Sequence, residues 1–243
     1  MKRILSVALF VALTAASTAC AVRVGHSGPE QSAVLAAYEP ADATPEAVAT
    51  LIREAGAQMA LLAVRADSAW FRAVARRTGL TLSGPGDAGG VLLGFLGPEP
   101  IGDTTLVLVY EAGQFTLHDA LYRVGKERAL DLLAMHIADA SAARPMVHRL
   151  LRYLATDVDA TSAVMIGVAA ETEPAADSVA TMLAPAFTDA RRCMDGPGDR
   201  DAARAQGPHL RLFYGPEARL ACDSARPIDA LGRPVVAHLV VLR

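Results

Sequence analysis

Residues 44–79, TPEAVATLIREAGAQMALLAVRADSAWFRAVARRTG, decide the fold class. Thr44 followed by Pro45 reads as an N-cap and a first helical position. Val48, Leu51, Ile52 and Ala55 then recur at helical spacing until Gly56 stops them. Met59 to Val64 is an unbroken apolar run of strand length, and Asp67 or Ser68 caps a second helix carrying Trp70, Phe71 and Val74 before Gly79. A buried strand between two amphipathic helices predicts a sheet with helices packed on it.

The same order returns over residues 142–192. Met146, Val147, Leu150, Leu151 and Leu154 share a helical face with Pro145 near its start, Ala163 to Ala169 reads as a buried strand, and Thr172 with Pro174 opens a helix carrying Val179, Met182, Leu183, Ala186 and Phe187. Two helix-strand-helix units suggest a duplication, although residue identity between them is too thin to establish one. Between the units, short apolar runs at 80–82 and 91–96 flank a Gly-rich loop, and Thr104 to Glu111 alternates as a strand.

Residues 117–137 fit either a helix or a hairpin. Leu130, Leu133 and Ile137 keep helical spacing, but Gly125 disfavours a continuous helix, so the hairpin is preferred. Its expected register opposes Arg123 to Asp131, Leu121 to Leu133, His118 to His136 and Leu117 to Ile137. Beyond Cys193, Leu210 to Tyr214, Arg219 to Cys222 and Val235 to Leu242 read as short strands separated by Gly-Pro and Gly-Arg-Pro turns. The expectation is a mixed α/β (α+β) domain over 44–243: largely antiparallel or mixed sheets, about four packed helices and a C-terminal β segment. A division into lobes 44–98 and 104–243 stays open.

The amino terminus gives an address. Lys2 and Arg3 precede an apolar run from Ile4 to Ala16, too short for a membrane-spanning helix, and Ser17, Thr18 and Ala19 lead to Cys20. This resembles the leader of bacterial lipoproteins, in which the cysteine is lipidated, with Ser17 where Leu is usual. The expected organisation is a signal peptide at 1–19, lipidated Cys20 with a tether over 20–43, in which 31–38 could add a short element, and then the domain. The alternative is an ordinary signal-peptidase cut that releases a soluble periplasmic or secreted protein. Only Cys20, Cys193 and Cys222 are present. Lipidating or discarding Cys20 leaves an even pair, and an oxidising compartment favours a Cys193–Cys222 disulfide.

Composition excludes several classes. Apolar residues make up 52% of the chain with aromatics at 5%, so the core is one of Leu, Val and Ala. Losing Lys2 and Arg3 from 23 basic residues against 26 acidic ones takes the net charge from −3 to −5. No basic stripe for nucleic acid is present; Arg76 with Arg77 and Arg191 with Arg192 fall near expected helix ends, where cations complement the helix dipole.

Local catalytic signatures are absent: no G-x-S-x-G, H-E-x-x-H, phosphate loop or S-x-x-K. Lys126, the sole lysine after the leader, falls in the expected turn. Gly84-Pro85-Gly86-Asp87-Ala88-Gly89 has dinucleotide-fingerprint spacing but precedes an apolar strand rather than a helix, and reads as a turn. His118 and His136 are metal candidates if other ligands converge on them, while Asp157 with Asp159 and Asp195, Asp199 with Asp201 are acidic turns lacking a calcium-loop signature. No cofactor is implied. The leading expectation is a non-catalytic envelope lipoprotein, held to the membrane by its lipid and binding a protein partner or small ligand. The alternative is an exported hydrolase, metal-assisted through His118, His136 and nearby carboxylates.

Overall fold

The computed structural model describes residues 30–39, 42–88, 90–110, 113–124, 128–193, 209–215, 220–227 and 235–241. Cys20 and the rest of the leader, Lys126, and the loop with Asp195, Asp199 and Asp201 lie outside them.

The chain begins with β1 (Glu30–Glu39), α1 (Pro45–Glu54), β2 (Met59–Val64) and α2 (Ser68–Thr78). Thr44 Oγ1 accepts from the Ala47 N–H at 3.2 Å and Asp67 Oδ1 from the Trp70 N–H at 2.9 Å, so both expected caps form. Gly79 ends α2 at φ 73°, a conformation that favours glycine. Hairpin β3 (Thr81–Asp87) and β4 (Leu92–Gly97) follows, then the meander β5 (Gly102–Tyr110), β6 (Gly113–Val124) and β7 (Arg128–Ile137). The second half holds α3 (Ala140–Thr156), β8 (Ala163–Ala170), α4 (Glu173–Leu183) and β9 (Thr188–Asp189), and a 3-10 turn over Ala190–Cys193. Strands β10 (His209–Tyr214), β11 (Leu220–Pro227) and β12 (Val235–Val241) complete it.

The strands form two six-stranded sheets, ordered β11-β12-β1-β2-β4-β3 and β5-β6-β7-β8-β10-β9. Each has a single parallel pair at its centre, β1 with β2 and β7 with β8, and antiparallel neighbours on both sides. The sheets pack face to face on Val34, Ala36, Leu61, Phe95, Tyr122, Leu132, Met165 and Leu212. Helices α1 and α2 cover the outer face of the first sheet through Val48, Ile52, Phe71 and Val74, and α3 and α4 cover the second through Met146, Val147, Leu150 and Val179. The layers run helix, sheet, sheet, helix. Close approach of the sheets explains Gly167 on β8: a Cβ there would lie 2.4 Å from Leu61 Cδ1 of β2.

Several expectations change. Residues 30–39, placed in the tether apart from a short element, are the strand that pairs with both β2 and β12. The two repeated units belong to different sheets, and each is strand-helix-strand-helix. The C-terminal strands make no segment of their own: β10 joins the second sheet, while β11 and β12 return to the first. Residues 117–137 form the hairpin, but the observed register opposes Val124 to Arg128, Leu121 to Asp131 and Leu117 to Met135. Every pair is thus offset by two from its expected partner, which keeps each side chain on its face. Helix α3 starts at Ala140 behind the Asp139 cap, ahead of Pro145. The Gly84 stretch is edge strand β3, with a register shift between Ser83 and Gly86.

The Cys193–Cys222 disulfide forms, with Cα atoms 6.2 Å apart. It fastens the 3-10 turn after β9 to β11, and so ties one sheet to the other, rather than starting from the end of the fourth helix as its position in sequence suggested.

Candidate functional site

In both sheets the central parallel strands end on the same side of the molecule, where ligands of open α/β sheets are usually held. Tyr38 is the penultimate residue of β1 and faces the other sheet, and Arg65 directly follows β2. His136 is the penultimate residue of β7, and Glu171 directly follows β8. The backbone fixes the two flanking positions, since Arg65 N–H donates to Glu39 O at 3.3 Å and Glu171 N–H to Ile137 O at 3.0 Å, each extending its parallel ladder by one bond.

The other three side chains converge on Glu171 Oε1. Tyr38 Oη donates to it at 2.8 Å, His136 Nε2 lies 2.9 Å away, and Arg65 Nη2 forms an ion pair with it. A carboxylate only accepts, so His136 presents an N–H at Nε2, and in the neutral imidazole that makes Nδ1 the acceptor. Arg65 Nε donates to Tyr38 Oη at 3.1 Å. The rings of Tyr38 and His136 are 6.2 Å apart between centroids. His136 is 8% exposed, Glu171 28% and Arg65 47%, so the centre is buried at the imidazole and open at the guanidinium. Burial works against the charged form of Glu171, but hydrogen bonds from Tyr38 and His136 and the Arg65 charge outweigh it and hold its carboxyl below the ordinary range. Tyr38 is pushed up to about 12, by burial first and then by its bond to Glu171.

A divalent metal does not fit this donor set. Among the described residues no three of His, Cys, Asp and Glu are placed to share an ion. One carboxylate and one imidazole meet here, the carboxylate oxygen in reach is already bound by three donors, and one of those is itself a cation.

The other sequence candidates lie elsewhere. His118 is buried between the sheets, stacked on Phe95 at 4.9 Å and filling the space a side chain at Gly84 would need. It pairs with Ala134 in register, so the two histidines do not face one another. Asp157 caps the end of α3 and Asp159 turns the chain by accepting from Thr161, both before β8 and so at the end opposite Glu171. Asp119 and Asp131 sit on the outer face of the second sheet, by α3. Asp119 Oδ2 accepts from Tyr153 Oη at 2.6 Å, while Asp119 Oδ1 and Asp131 Oδ2 are buried without a partner among the described residues. Burial, and then the neighbouring Asp131 charge, push Asp119 up to about 6 against the lowering bond from Tyr153. At the other end of the first sheet a groove of about 500 Å³, lined by Met59, Leu80, Pro98 and Arg123 among others, gathers no comparable polar set.

No protein-family model matches the sequence, and no curated protein matches it. Solved structures match in shape. The endonuclease/exonuclease/phosphatase from Bacteroides vulgatus aligns with a TM-score of 0.67 at 11% identity, over 87% of this chain and 99% of that one. D. rerio TDP2 complexed with single-strand DNA product aligns at 0.62 and 10% identity, over 86% and 98%. The human Nocturnin catalytic domain with bound sulfate anion gives 0.61 and 10%, over 87% and 94%. The fold is that of the endonuclease/exonuclease/phosphatase proteins. At this identity the likeness establishes the fold, and the residues of the centre are judged on their own chemistry.

Of that centre, sequence reasoning had singled out only His136. Tyr38 fell in the expected tether, and Glu171 lay between the expected strand Ala163 to Ala169 and the helix opened by Thr172. The signal that finds Arg65 and Glu171 is positional: a charged residue between the last residue of a buried strand and the cap of the next helix, Asp67 or Thr172.

Proposed function

We propose that this chain is an exported hydrolase acting on a phosphate ester, with Tyr38, Arg65, His136 and Glu171 as its centre. One observation carries the reading: a carboxylate-oriented histidine and an arginine meet at the carboxyl ends of both parallel pairs. Support comes from the fold, whose solved neighbours include proteins called endonuclease, exonuclease or phosphatase, one holding a DNA product and one a sulfate anion. The likeness favours this reading over the non-catalytic one. Glu171 holds the Nε2–H of His136, so the neutral imidazole presents Nδ1 as the base that takes a proton from a water attacking phosphorus. As the new P–O bond forms and the ester P–O bond breaks, Arg65 faces the charge on the phosphoryl oxygens, and the proton passes from His136 to the departing alkoxide oxygen.

The experiment is turnover of a panel of phosphate monoesters and diesters by the purified mature chain. His136→Ala is expected to lower kcat by about 10²–10⁴-fold; equal rates in wild type and variant would remove His136 from the reaction. A second reading, a ligand-binding domain without turnover, is favoured by one fact: Glu171 Oε1 is fully committed to Tyr38, Arg65 and His136. Phosphate-ester binding with no turnover on any ester would select it.

Export belongs to the same proposal. The leader, the lipobox-like Cys20 and a disulfide suited to an oxidising compartment support an envelope protein anchored by lipid, with release as a soluble periplasmic or secreted protein as the alternative. Intact-mass analysis of the membrane fraction tests this: acyl chains on an amino-terminal Cys20 are expected, and an unmodified chain beginning after Ala19 or Ala21 would refute the anchor.

A further inference from the structure

Arginine presents five N–H donors along two edges of its guanidinium. Arg65 uses the side edge inward, Nε to Tyr38 and Nη2 to Glu171. Its end edge, Nη1 with the second Nη2 hydrogen, bonds to none of the described residues, on a side chain 47% exposed. That edge matches two oxygens of a phosphate in a bidentate fork. Among the described residues the same guanidinium lies against the one carboxylate of the centre, where a metal would otherwise gather its ligands, and the donor set there does not suit one.

We infer that Arg65 is the resident cation of this centre, so that the site takes its phosphate group on the guanidinium end edge without a divalent metal. This rests on the reading of the cluster as the phosphate site, and it adds what that reading leaves open, whether a divalent metal works beside the guanidinium.

The test uses the oxidised mature chain, with inorganic phosphate followed by titration calorimetry and Mn²⁺ by equilibrium dialysis. Phosphate affinity is expected to be the same in EDTA and in excess Mg²⁺, to fall about tenfold or more in Arg65→Gln, and to be only partly kept in Arg65→Lys, which retains the charge but not the two-donor edge. Thermal melts of both variants confirm that they are folded. Wild type is expected to hold no stoichiometric Mn²⁺. One Mn²⁺ per chain lost in Glu171→Gln, phosphate binding that requires metal, or no phosphate binding at all would each overturn the inference. The two readings fail separately: metal-insensitive phosphate binding without ester turnover refutes hydrolysis and leaves Arg65 as the cation, whereas turnover that appears only with Mg²⁺ refutes the role of Arg65 and leaves the hydrolase.

Discussion

Replacing Asp119 with Asn should make the protein more stable at neutral pH, by an amount that vanishes in acid. Asp119 is 7% exposed, one of its oxygens is unpartnered among the described residues, and its carboxyl sits at about 6. In the unfolded chain an aspartate titrates near 3.9, and that difference corresponds to about 3 kcal/mol. The folded value is the higher one. Below about pH 4 both states are therefore protonated and Asp119 is no burden; between about 4 and 6 the unfolded state ionises first and stability falls; above 6 the full cost stands. Asn keeps an acceptor for Tyr153 but weakens that bond by about 1 kcal/mol through loss of charge, leaving a net gain of about 2 kcal/mol at pH 8. Urea unfolding of the oxidised protein across this pH range measures it. Asp131 is also raised, mainly by burial, and its charge contributes to raising Asp119, so Asp131→Asn should flatten part of the same slope. A gap between Asp119→Asn and wild type that is equal at pH 4 and pH 8 would refute the argument, as would a less stable variant at pH 8.

Two further outcomes follow from the packing. Replacing both Cys193 and Cys222 with Ser opens a loop with a sequence separation of 29 and should cost about 3 to 4 kcal/mol in urea unfolding, with wild type in reductant behaving alike. Gly167→Ala drives a methyl group against Leu61 across the sheet interface and should cost about 1 to 3 kcal/mol, with partial rescue by Leu61→Ala.

Elements whose signal is local were legible in the sequence. The caps at Thr44, Asp67 and Thr172, the runs 59–64 and 163–169, and the Cys193–Cys222 pairing need only neighbouring residues or a cysteine count, and each is present. What stayed hidden depends on distant partners. Residues 30–39 hold a short apolar run, Ala33 to Tyr38, between polar ends at Glu30, Gln31 and Glu39, and they become a central strand only because β2 and β12 flank them. The hairpin register differs from the expected one by two residues in every pair, an offset that keeps the facing of side chains and that composition does not determine. The centre was the least legible part, because Tyr38 and Glu171 lie 133 residues apart and no spacing rule joins them.

The centre is joined to its scaffold in a way that separates chemistry from folding. Arg65 and Glu171 are positioned by backbone bonds to Glu39 and Ile137, which survive any change of side chain, and both lie outside the ladders proper. Their ion pair is partly exposed and of the kind worth about 0 to 1 kcal/mol. Arg65→Gln leaves Glu171 bonded to Tyr38 and His136, so no buried charge is stranded. The variant should therefore lose less than about 1 kcal/mol in urea unfolding while losing its grip on phosphate. Removing His136, 8% exposed and packed against Tyr38, should cost more, because it also opens a cavity between the sheets. If Arg65→Gln instead proves as destabilising as His136→Ala, the guanidinium is holding the sheets together, and the division of labour in this cluster is the reverse of the one drawn from its exposure.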